Sequence, residues 1–130
     1  MITIKELNEL IKDRLKDAEI LMKAKRYDGA YYLCGYAIEL ALKRRICKAL
    51  NWDGFPNNKK EFENLNSFKV HNLDSLLCLS GKEKKIKKAF LAEWSIINEW
   101  NPETRYACRT KNKQDVIGML DAAKKILREL

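Results

Sequence analysis

Asp28-Gly29-Ala30-Tyr31-Tyr32-Leu33-Cys34-Gly35-Tyr36-Ala37-Ile38-Glu39-Leu40-Ala41-Leu42-Lys43 is the stretch whose reading decides the fold. It is apolar almost all round, and between Asp28 and Lys43 Glu39 is its lone carboxylate. A helix of this kind is buried on more than one side, either at the centre of a bundle or at a dimer interface. Ala30, Gly35, Ala37 and Ala41 leave room for close helix approach. Asp28 reads as the N-cap, and the helix runs to about Leu50.

Upstream, Ile4, Leu7, Leu10, Ile11, Leu15, Ala18, Leu21 and Met22 recur in steps of three and four. They predict an amphipathic helix from Ile4 to about Lys25, opened by a Thr3–Glu6 capping box and ended by Arg26-Tyr27-Asp28-Gly29. Downstream, Asn51 to Val70 holds the turn residues Asn-Trp-Asp-Gly-Phe-Pro-Asn-Asn. It reads as a long ordered loop pinned by Trp52, Phe55 and Phe62. A short helix follows over Leu73 to Leu79, stopping at Ser80-Gly81. A fourth, Glu83 to about Trp100, carries Ile86, Phe90, Trp94 and Ile97 at helical spacing and ends at Asn101-Pro102. The last starts near Asn112, with Asp115 at the capping-box position. The expected fold is therefore all-α: an antiparallel, up-and-down bundle of four to five helices in one domain over residues 1–130. It has a long loop between helices two and three, no β-sheet, and about two thirds of its residues in helix.

Composition agrees. Gly and Pro number only 5 and 2, too few for an all-β sandwich. Apolar residues make up 46%, enough for a core. No apolar run is long enough to span a membrane, and the start is charged within five residues, unlike a signal or transit peptide. The expected compartment is the cytoplasm. Cys34, Cys47, Cys78 and Cys108 form no C-x-x-C pair, so they read as buried free thiols rather than a zinc or redox site. His71 is the single histidine, which excludes sites needing two imidazoles. Nucleotide-binding glycine loops, the G-x-S-x-G elbow and the H-E-x-x-H zinc motif are all lacking. No metal or cofactor is expected.

The formal charge is +8, from 26 basic and 18 acidic residues. Lys82, Lys84, Lys85, Lys87 and Lys88 place five lysines in seven residues near a helix start, where they oppose the helix dipole. The run reads as a solvated face or a secondary phosphate-contact patch. Arg105, Arg109, Lys111 and Lys113 lie between the last two helices with no acid among them, and Tyr106 is their neighbour. Arginine beside an aromatic ring suits phosphate and base contact. The alternative is a surface turn with Arg105 paired to Glu103 or Glu39. His71, before Asn72-Leu73-Asp74, reads as a capping or core hydrogen-bonder.

Three elements in order carry a family resemblance. Tyr27-Asp28-Gly29-Ala30-Tyr31-Tyr32 leads into Gly35-Tyr36-Ala37-Ile38-Glu39-Leu40-Ala41-Leu42-Lys43; His71-Asn72-Leu73 follows; then Trp100-Asn101-Pro102-Glu103-Thr104-Arg105-Tyr106. Together they resemble the HEPN family, the higher eukaryote and prokaryote nucleotide-binding domain. The resemblance implies a homodimeric helical bundle, associated with RNA or a nucleotide, in a toxin–antitoxin or antiviral defence setting. It also implies a nucleotidyltransferase as a possible partner. Many members are metal-free RNases that pair an arginine with a histidine four to six residues further on. Arg105 matches the arginine. Thr110, Lys111 and Asn112 stand where the histidine would be, and counting from Arg109 gives Gln114, Asp115 and Val116. The motif is incomplete, so weak or absent RNase activity is expected. Two other readings stay open: an active endoribonuclease using Arg105 with an unorthodox partner such as His71, and a pure protein–protein assembly module.

Overall fold

A computed structural model describes all 130 residues, 68% of them helical. Six α-helices follow one another: α1 (Ile4–Lys23), α2 (Tyr27–Leu50), α3 (Leu73–Leu79), α4 (Glu83–Ala89), α5 (Leu91–Ile97) and α6 (Lys113–Leu127). Short 3₁₀ turns occupy Asn66–Phe68 and Pro102–Tyr106. The all-α expectation holds. No helix is long and apolar enough to cross a membrane.

Helix α1 begins at the predicted capping box: the Thr3 hydroxyl accepts from the Glu6 N–H, and the Glu6 carboxylate accepts from the Thr3 N–H at 2.8 Å. It packs antiparallel along α2. Asn8, near the start of α1, accepts from Arg44, near the end of α2, at 2.8 Å, and Leu21 lies against Gly29. Helix α2 is the centre of the molecule. Its buried residues include Ala30, Tyr31, Cys34, Ala37, Ile38, Leu40, Ala41, Leu42 and Ile46. They meet α1, α3, α6 and the Pro102–Tyr106 turn. The central place in a bundle, one of the two the sequence allowed for an apolar helix, is the one α2 takes within the chain. Helix α6 opens with the expected Asn112–Asp115 capping box and buries Val116, Met119, Leu120, Ala123 and Ile126.

Four expectations need correction. Ile2–Thr3 pairs antiparallel with Gly54–Phe55, so a two-stranded ribbon exists where no sheet was expected. Gly54 makes it possible, since a Cβ there would lie 2.5 Å from the Ile2 carbonyl oxygen. The predicted fourth helix is two helices, raising the helix number above four to five. The backbone leaves helical geometry at Phe90 (φ −132°, ψ 34°). No proline or glycine marks that break; Ile86, Trp94 and Ile97 remain buried on both sides of it, and α5 then packs on α6. Asp28 is not the N-cap of α2. Arg26 holds that position without a side-chain hydrogen bond, and Asp28 serves a distant loop instead. Finally, only Cys34 and Cys47 are buried; Cys78 and Cys108 are exposed. The loop after α2 is pinned as expected: Trp52 packs edge-on to Phe68 at 5.0 Å, and Phe55 on Phe62 at 6.2 Å.

Candidate functional site

The turn between α1 and α2 and the segment between α5 and α6 meet to form one cleft of about 710 Å³. Lys25, Arg26, Asp28 and Tyr32 line one side, and Thr104, Arg105, Cys108, Arg109 and Lys111 the other. Five cations thus face a single carboxylate.

The architecture of the cleft follows from Asp28. Standing in the first turn of α2, its carboxylate accepts hydrogen bonds from the backbone N–H of Thr110 at 3.1 Å and of Lys111 at 2.8 Å. Charge-assisted bonds of this kind are about twice as strong as neutral ones. Arg109 stands just before them in the left-handed region, at φ 55°. That conformation costs a residue with a Cβ about 1–2 kcal/mol. It also aims the two following N–H groups at one anion. Across the cleft, Lys25 is left-handed too, at φ 60°, where the chain turns from α1 into α2.

Behind the cleft lies an aromatic wall. Trp100 is buried against Gly35, where a Cβ would sit 2.3 Å from its ring. Its indole N–H donates to the Tyr32 carbonyl at 3.2 Å. This contact fixes where the Pro102–Tyr106 turn begins, and so where Arg105 stands. The Arg105 guanidinium lies 4.9 Å from the Tyr106 ring centre, and Tyr106 is 70% exposed. Hydrogen bonding to the Tyr106 hydroxyl, and then to that of Tyr32, pushes the Arg105 guanidinium further towards its charged form. Arg105 pairs with neither Glu103 nor Glu39, so its charge is open to a ligand. The Lys111 ammonium lies 4.2 Å over the Tyr31 ring.

Of the residues singled out from the sequence, Arg105, Arg109 and Lys111 come together here. Lys113 begins α6 just beyond the lining. Lys84, Lys85 and Lys88 stand apart on α4, and Lys85 is tied to Glu129 at 2.7 Å. Lys87, of the same run, bridges Asp74 at 3.0 Å and Glu83 at 3.4 Å. The lysine run is thus partly spent on ion pairs. His71 is elsewhere as well. Its Nδ1 donates to Oε1 of Glu39 at 2.8 Å, and Lys43 meets the other oxygen at 3.6 Å. Glu39 is 3% exposed, whereas the His71 side chain is 65% exposed. His71 does not cap α3; Asn72 does. Sequence reasoning missed Lys25, Arg26, Asp28 and Tyr32 as site residues. The visible signal was two cations before Tyr27-Asp28, which read as no more than a helix break.

Comparison of the chain with protein-family models, with curated proteins and with solved structures found no match.

Proposed function

We propose that this protein is a HEPN-like binder of RNA or nucleotide that holds phosphate in the Arg105 cleft and does not cleave RNA efficiently. The observation that carries the reading is the convergence of Lys25, Arg26, Arg105, Arg109 and Lys111 on one concave surface, with a single carboxylate among them. That carboxylate, Asp28, is already engaged by backbone N–H groups. Like charges crowded in this way repel, and a bound polyanion relieves the repulsion while releasing its own counterions. A module serving only assembly has no use for such a cluster.

The case against efficient cleavage is chemical. A metal-free RNase moves one proton off the 2′-hydroxyl and another onto the leaving oxygen. Arginine stays protonated and does neither. The one imidazole, on His71, is not among the residues lining the cleft. The family resemblance adds a homodimer, a cytoplasmic toxin–antitoxin or defence role, and a nucleotidyltransferase as partner. Light scattering at tens of micromolar tests the dimer, and a monomer mass rejects it.

The main test is a salt titration of RNA binding by fluorescence anisotropy. Neutralising Arg105, Arg109 and Lys111 should weaken binding and reduce the salt slope by about 0.7 per lost contact to single-stranded RNA. Unchanged affinity and slope reject the cleft. RNA degradation by the purified protein, abolished by Arg105→Ala and by His71→Ala alike, rejects the non-cleaving reading.

A further inference from the structure

Lys25, Arg26, Arg105, Arg109 and Lys111 can only donate hydrogen bonds, so Asp28 is the one charged acceptor that lines the cleft. Its two oxygens are used unequally. Oδ1 accepts from the Lys111 N–H at 2.8 Å, the Thr110 N–H at 3.1 Å and the Thr110 hydroxyl at 3.5 Å. Oδ2 has only a share of the Thr110 N–H, at 3.3 Å. An ionised carboxylate offers about four acceptor positions, so Oδ2 keeps capacity for a further donor. No cation of the cleft takes it: Asp28 forms no ion pair, although it shares its cavity with five. The residue is partly exposed. Anchoring the loop needs one oxygen. The second adds only repulsion of phosphate, unless the ligand brings a donor to it.

Resting on the phosphate-binding reading of the cleft, we infer that Asp28 is the residue that selects ribonucleotide over deoxyribonucleotide, its Oδ2 accepting from the 2′-hydroxyl of the nucleotide whose phosphate the cations hold. RNA carries that donor on the sugar carbon next to the 3′-phosphate ester, and DNA has hydrogen in its place. The 2′-hydroxyl is what lets a site tell RNA from DNA. With RNA, the carboxylate gains a charge-assisted hydrogen bond. With DNA, the same oxygen faces the phosphate, stripped of water and unpaired. A hydrogen bond to a charged group is strong enough to make the preference about tenfold.

The test compares one short, uridine-free single strand as RNA, as DNA and as 2′-fluoro RNA, by fluorescence anisotropy. The 2′-fluoro strand keeps the ribose pucker and lacks the donor. The parent protein should bind RNA about tenfold more tightly than either of the others. In Asp28→Asn the amide oxygen still accepts from the loop N–H groups, while an NH₂ donor replaces the open oxygen. The RNA advantage should disappear in that variant, and its affinity for DNA should rise, because a negative charge has left the cleft. Arg105→Gln should weaken all three ligands and keep the RNA preference. Thermal melts establish that each variant is folded, and the 2′-fluoro comparison needs no variant. A purely structural Asp28 gives the parent no preference for RNA over 2′-fluoro RNA. If the parent shows none while Arg105→Gln weakens every ligand, the selectivity inference is wrong and the cleft stands. An RNA preference that survives in Asp28→Asn overturns the inference as well. If Arg105→Gln weakens no ligand, the cleft reading fails and the inference with it.

Discussion

Gly35→Ala adds one methyl group and should act on both the fold and the cleft. The new Cβ would stand 2.3 Å from Cγ, Cδ1 and Nε1 of Trp100, about an ångström inside ordinary contact. The indole, not the α2 backbone, is the part free to yield. Overpacking of this kind costs about 1–3 kcal/mol. Tilting the ring also strains its hydrogen bond to the Tyr32 carbonyl, worth about 1 kcal/mol. Replacing glycine by alanine in a helix returns about 0.5–1 kcal/mol. The balance is a loss of about 2 kcal/mol, which lowers the urea midpoint by about 1 M. Trp100 leads into Asn101-Pro102 and the turn bearing Arg105, so RNA affinity should fall too. Gly118→Ala is the matched control. That glycine lies inside α6 with nothing within 4 Å of the new methyl, and its change should stabilise by about 0.5–1 kcal/mol. Urea denaturation followed by tryptophan fluorescence measures both. If Gly35→Ala is as stable as the parent, or the two substitutions shift the midpoint the same way, the close Gly35–Trp100 approach is not what holds this side of the molecule.

Thiol chemistry gives a second check. Cys78 and Cys108 should react with a thiol reagent in the native protein, while Cys34 and Cys47 should not. Burial pushes the latter two up to about 12 and about 11. A native count other than two fast thiols contradicts the packing around α2. Acid sensitivity gives a third. The hydrogen bond from Lys87 chiefly, helped by that from the Trp94 indole, holds the Asp74 carboxyl below its usual 3.8. Its contribution should be full above that value and lost as the pH falls below it, and Asp74→Asn should flatten that part of the thermal-melt profile between pH 5 and pH 2. Asp74 and Lys87 are well exposed, so the effect should stay within about 1 kcal/mol. An unchanged profile in Asp74→Asn refutes the assignment.

Helices α1, α2, α3 and α6 were legible because each carries its own periodic stripe or cap. Thr3–Glu6 and Asn112–Asp115 are local signals, and local geometry satisfied both. Asp28 shows where local reading fails. An aspartate just before an apolar run is a good N-cap by rule, yet here two N–H groups more than eighty residues away claimed it. The kink at Phe90 had no local mark because helix-on-helix packing, not chain stiffness, sets it. The Ile2–Phe55 ribbon, two residues to a strand, is too short to leave a pattern. Half the cleft was visible as the Arg105–Lys113 run. The other half, Lys25 and Arg26, became part of a site only when the α1–α2 turn folded against it.

That same dependence on tertiary placement bears on chemistry. Arg105 and His71 are the two residues from which a cleavage site would have to be built, and they stand beside different parts of α2. Arg105 shares its cleft with Tyr32, and His71 is bound to Glu39, seven residues along the same helix. Seven residues rise about 10 Å. Proton transfer at a scissile phosphate needs groups within about 3 Å of the same atoms. The Glu39 carboxylate holds the imidazole at its own position along α2, with Lys43 on its other oxygen. Tyr32, in the cleft with Arg105, is thus about two helical turns along α2 from the residue that holds the imidazole, and the imidazole is outside the cleft lining. The cationic cleft and the one imidazole are thus held apart by different elements, Asp28 organising the first and Glu39 anchoring the second, an arrangement suited to binding a phosphate rather than breaking its ester bond.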